Sequence, residues 1–163
     1  MSAVEIHLLL NHFPIVGSLI AFVLLLAGLL LKIKAVQNAG LLLLTFVALL
    51  SIPVFLTGEP SEEFIEEWPG VSHDAIEEHE DAAKPAFWCL LAAGAAAGAA
   101  FFVNRKSPTP KTAWLYAVLL LCGASFGLMA RAGGSGGKIR HPELEDVQRV
   151  PLPDTMPGHE EEH

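Results

Sequence analysis

The chain of 163 residues is one domain's worth of sequence. Hydrophobic residues make up 52% of it and the mean hydropathy is +0.46, both high for a soluble domain. The formal net charge of −8 argues against a nucleic-acid partner, because a phosphate backbone calls for a basic face.

Four apolar stretches are each long enough to cross roughly 30 Å of hydrocarbon at about 1.5 Å per residue. The first, 6–31, stops at Lys32 and Lys34; the second covers 39–57, the third 85–103 and the fourth 112–130. The fold class expected is therefore all-α, a four-helix transmembrane bundle spanning 1–131, followed by a tail, 132–163, that is glycine-rich and then acidic. Glu5 stands where a secretory leader would be basic, and the first run is too long for a signal core, so the first stretch is expected to stay as a spanning helix.

Lysine and arginine orient the bundle. The connection after the first span holds Lys32 and Lys34, and the one after the third holds Arg105, Lys106 and Lys111, with no acid in either. All eighteen carboxylates fall in the N-terminal residues, the loop 58–84 and the tail. The positive-inside rule then places the two short loops in the cytoplasm and both termini, with the acidic loop, outside.

The loop "GEPSEEFIEEWPGVSHDAIEEHEDAAK" reads as two short helices, the first capped by Ser61 and ended by Pro69-Gly70, the second capped by Ser72. Phe64, Ile65 and Trp68 give the first an apolar edge suited to a membrane surface. Like-charge pairs four apart, such as Glu62 with Glu66 and Asp74 with Glu78, cost a little on an isolated helix; the loop reads first as a solvated acidic face, then as a docking patch for a basic partner such as a soluble electron carrier, or as a metal-binding surface. His73 and Glu77, one helical turn apart, form a weaker candidate metal pair. The terminal "HEEEH" reads as a disordered acidic tail.

Helix packing is announced by "GAAAG" (94–98) and "GASFG" (123–127), both GxxxG patterns, and by Gly17, Ala21 and Gly28 in the first span. These faces suit packing within the bundle, a homodimer, or a slot for a flat cofactor. Cys89 and Cys122 lie inside apolar runs and read as buried small hydrophobes.

Polar groups at membrane depth are functional candidates by default, and here they are histidines. Counting about 20 residues, roughly 30 Å, back from Lys32 puts His12 at the outer boundary, with His7 about 7 Å beyond it. The same count on the third span places His79 about 7 Å above the boundary. His7 and Asn11, four apart, share one helix face; His12 points elsewhere. Pro14 frees the carbonyl near Leu10 and should bend the chain there. His141 follows "GGSGGK", a stretch flexible enough to fold back over the bundle.

The His-x4-His-Phe-Pro-Ile pattern (His7, His12, Phe13, Pro14, Ile15), Thr57-Gly58 closing the second span, His79 before the third and "GGKIRH" ending in His141 resemble a bacterial family of small four-helix membrane proteins of unknown function. The long acidic loop and charged tail depart from that family's commoner pattern. The resemblance implies a bundle in a bacterial inner membrane, its acidic loop on the periplasmic face, that binds haem b. His12 and His79 are then the first choice of axial ligands, with His7 and His141 as alternates or a second pair. Arg131 and Arg140 would neutralise propionates, and Asn11 would orient a ligand imidazole. Electron transfer follows, with quinol as one electron source. A second class is a zinc, copper or iron ion held by His7, His12, His79 and His141, with Met129 keeping copper admissible. A third is a non-catalytic subunit of a larger membrane complex. No serine or cysteine has a base beside it for hydrolysis, and the span midplanes lack the charges of a transporter.

Overall fold

The computed structural model describes residues 2–66, 68, 71–106 and 112–140, with the side chains of Lys106 and Arg140 left aside. Among the described residues there are six helices and no strand: α1 (Ala3–Leu10), α2 (His12–Leu30), α3 (Lys34–Leu56), α4 (Gly58–Glu66), α5 (His73–Lys106) and α6 (Thr112–Arg140). Four helical stretches are long and apolar enough to cross a membrane: α1 with α2, α3 with α4, α5, and α6. They form an antiparallel bundle in which α2 packs on α3 and α6, and α5 packs on α3 and α6.

Each helix buries one stripe at three- and four-residue spacing, as a 3.6-residue repeat requires. On α2 the stripe is Pro14, Ser18, Ala21, Leu25 and Gly28. On α5 it is Ala82, Ala86, Leu90, Ala93, Ala97 and Ala100, all within 3% of complete burial. Alanine on that stripe lets neighbouring backbones come close. Gly94 sits directly against Ala48, and Gly98 against Thr45, so the first GxxxG pair serves the α3–α5 contact. Gly123 faces Phe22 of α2, and Gly127 opens onto free space. Of the four GxxxG glycines, only Gly127 is left for a second copy of the chain.

Hydroxyls in the apolar layer are satisfied by their own helices. Ser18 donates to Ile15 O at 2.9 Å, Ser51 to Ala48 O at 2.7 Å, and Ser125 to Leu121 O at 2.8 Å. Thr45 donates to Leu41 O at 2.9 Å and lies 3.2 Å from Gly94 O on α5. Cys89 and Cys122 are free thiols; Cys122 is fully buried. The turn from α2 to α3 carries the paired bonds of a Schellman motif, Lys32 N to Leu29 O and Ile33 N to Gly28 O. Lys32 takes the left-handed position, at φ 58°.

The first span breaks at Asn11, where the bend was expected, because Pro14 cannot supply the bond that would close the turn onto Leu10. Three expectations change. Ser61 is not a cap: α4 starts at Gly58, straight after Thr57, and the Ser61 hydroxyl donates back to Thr57 O. The second loop helix and the third span are one helix, α5, of 34 residues, which carries Pro85 inside it. The "GGSGGK" stretch is helix too, since α6 runs through to Arg140. His141 and the rest of the tail lie outside the described residues.

Candidate functional site

The end of the bundle that holds the chain's N-terminus and α4 also collects its half-buried imidazoles. Ser2 starts α1 with a capping box: Glu5 N is 3.3 Å from the Ser2 hydroxyl, and Ser2 N donates to the Glu5 carboxylate at 2.8 Å. That fixes His7 two residues on, half-buried, with Nδ1 at 3.0 Å from the Val54 carbonyl oxygen on α3. The Val54 carbonyl is available nearby because it lies in the last turn of α3, where intrahelical N–H donors run out; Thr57 Oγ1 also reaches it, at 3.1 Å, and Pro53 O at 2.8 Å. Gly58 lies beside the ring, its Cβ direction 3.7 Å from His7 Cε1.

His79 stands on α5 six residues before Pro85, outside the apolar segment 85–103. Its Nδ1 is 2.9 Å from Ala132 O and 3.3 Å from Ser135 Oγ, both on α6. Ser135 is buried and donates its own proton to Ala132 O at 2.9 Å. Gly136 lies over the ring: a Cβ there would meet Cε1 and Nδ1 at 3.1 Å and Nε2 at 3.7 Å. Burial, first of all, pushes the His79 pKa below the ordinary imidazole value; the bond to Ala132 opposes this, and the nearby His7 adds to the lowering.

A carbonyl oxygen can only accept, so Nδ1 of both rings carries the proton. In the neutral ring the lone pair is then on Nε2. Two helices thus each present an imidazole clamped in the tautomer that a metal-ligating histidine adopts. Asn11, one turn beyond His7, adds a buried Oδ1 with no donor among the described residues.

The other expected site residues fall differently. His12 is exposed, because it lies about 200° around the helix from Pro14, the first residue of the buried stripe of α2. His73 pairs with Glu66 of α4, Nδ1 to Oε1 at 2.8 Å, with both side chains largely exposed, and not with Glu77. Arg131 is exposed on α6. The Arg140 side chain and all of His141 lie outside the described residues. Met129 is buried in the core cluster. No three His, Cys, Asp or Glu side chains among the described residues come together as a metal-holding group.

Cations from within the chain offset some of the acidic crowding. Lys84 pairs with Glu80 and Lys138 with Glu78, each at 2.8 Å. Burial, then Glu80 and Glu59, push the Glu62 pKa above the ordinary carboxylate value, against the pull of Lys84. Phe64 and Trp68 are exposed neighbours, their ring centroids 5.8 Å apart.

The inward turn of His7 had a signal in the sequence. Running the small-residue stripe of the first span backwards through Gly28, Leu25, Ala21, Ser18 and Pro14 reaches Asn11 and then His7, and passes by His12. Ser135 and Gly136, which hold and cover His79, had none, because they lie in a run whose composition reads as linker. No family model, curated protein or solved structure matches this chain.

Proposed function

We propose that this protein is a multi-pass protein of the bacterial cytoplasmic membrane that binds haem b through His7 and His79 and serves electron transfer. The observation that supports this is the pair of imidazoles on separate helices, each holding its Nδ1 proton against a backbone carbonyl and leaving Nε2 as its basic nitrogen. The donor set fits: two neutral imidazole nitrogens from different elements are ligands that would hold a haem iron. Bound haem would supply reversible one-electron chemistry. The protein's role is to hold the two rings, to screen them from water with α6 and α4, and to offer Arg131 to a propionate at the same end of the bundle. The clustering of lysine and arginine in the other two loops orients the histidine end outward. Electrons would come from a quinol in the membrane or pass to a basic carrier at the acidic face.

A lone zinc ion is served less well, since zinc takes three or four protein ligands and no three candidate ligands come together among the described residues. The full chain, purified in detergent and supplied with haemin, should show a Soret band that shifts on reduction with dithionite. His7→Ala and His79→Ala should each abolish or displace the band, and His12→Ala should leave it unchanged. A band that survives loss of both His7 and His79 rejects the ligand pair. Absence of any band, with stoichiometric zinc, copper or iron by elemental analysis, moves the reading to a non-haem site.

A further inference from the structure

At the opposite, basic end of the bundle the buried stripes finish in carboxamides. The α5 stripe runs from Ala82 through Leu90 and Ala97 to Asn104, and that of α3 runs back from Ser51 through Leu44 and Leu41 to Gln37. Gln37 is 5% exposed and Asn104 is 2% exposed. Gln37 spends its Nε2 on Gly28 O, at 2.9 Å, which leaves Oε1 with no donor among the described residues. Asn104 Nδ2 has no acceptor there, and Asn38 Oδ1 no donor.

These orphans share a level. α3 and α5 are antiparallel, with Phe55 stacked on Phe87 at 4.1 Å, Ala48 against Gly94, and Thr45 against Gly98. Carried one further stretch along, that register sets Asn38 beside Asn104, with Gln37 next to it. Orphaned polar atoms are costly in a packed interior, and most such atoms are met by protein or by ordered water. Two acceptors and one donor are unmet here. A cation would be repelled by the Asn104 N–H, and an anion by the two amide oxygens. A water molecule has two O–H donors and a lone pair to match, and three bonds is the usual number for a buried water.

We propose that the basic end of the bundle binds one structural water that donates to Gln37 Oε1 and Asn38 Oδ1 and accepts from Asn104 Nδ2, tying the start of α3 to the end of α5. This site is independent of the imidazole pair. The test uses the full chain in lipid nanodiscs, 15N-labelled at asparagine and glutamine side chains, with magnetisation transferred from water. The Asn104 side-chain amide should show a water cross-peak that persists in the wild type and is lost in Gln37→Leu. Transfer from lipid protons in place of water, or no transfer at all, overturns the proposal. Melting temperatures of Gln37→Leu, Asn104→Leu and the double variant give a second readout. The double variant should lose less than the sum of the singles, because either change alone already undoes the shared water and the second has less of it left to remove. Strictly additive losses overturn the coupling. Should the variants fail to fold, the wild-type cross-peak still decides.

Discussion

His79 on α5 donates through Nδ1 to Ala132 O on α6, 2.9 Å away, and the backbone of Gly136, one helical turn further on, closes over the same ring. One helix both anchors and roofs the imidazole of the other. This makes the glycines of α6 unequal. Gly136→Ala would press a methyl to 3.1 Å from Cε1 and Nδ1 and tilt the ring, whereas Gly134 and Gly137 face open space. Gly134→Ala and Gly137→Ala should each stabilise the fold by up to about 1 kcal/mol through helix propensity. Gly136→Ala should gain less or lose stability, and should shift the His79 ring resonances while the other two leave them in place. Thermal melts and imidazole NMR on the three variants check this; equal behaviour of all three would contradict the packing described.

Stability should fall as the medium is acidified through the imidazole range. The unfolded chain titrates His79 near its ordinary value of 6.5, and the folded state holds it lower. Below about pH 6.5 the unfolded state therefore binds more protons, and by linkage stability drops with falling pH until the folded pKa is reached; above that range the contribution is fully present. The slope for one group cannot exceed about 1.4 kcal/mol per pH unit. Denaturation midpoints of wild type and His79→Gln, measured from pH 7.5 to 5, should converge toward the acid end. Parallel curves would show that His79 keeps no depressed pKa in the fold.

Lys32 holds a left-handed conformation that costs a side-chain residue roughly 1–2 kcal/mol and costs glycine little. Lys32→Gly should raise the unfolding midpoint by an amount equivalent to about 1 kcal/mol, with helix content unchanged. A lower midpoint would mean that the lysine side chain contributes more than the backbone conformation costs.

Gly94 has the opposite character. Its Cβ direction runs into Ala48 on α3, so Gly94→Ala must push the α3 and α5 backbones apart and should destabilise by about 1–3 kcal/mol. Gly127→Ala, with nothing within 4 Å, should be neutral or stabilising. Steric trapping or detergent denaturation of these variants separates them, and equal stability would disprove the close α3–α5 contact.

Hydropathy alone determined the class and the four crossing helices, because about 20 apolar residues in a row leave few alternatives to a spanning helix. Depth counting placed histidines from distant stretches of the chain at one end, since helical rise is a fixed length per residue. The tertiary structure decided which of them turn into the bundle. His7 turns in and His12 turns out because the buried stripe of α2, once continued past Asn11, runs through the first and not the second. It also decided where helices end. The "GGSGGK" glycines read locally as linker, yet that stretch is α6, held by the clasp of Ala132 and Ser135 on His79, the pair of Lys138 with Glu78, and Gly133 against Ile15. Contacts between residues more than fifty positions apart outweigh a propensity that is summed over only six, and no local window contains them.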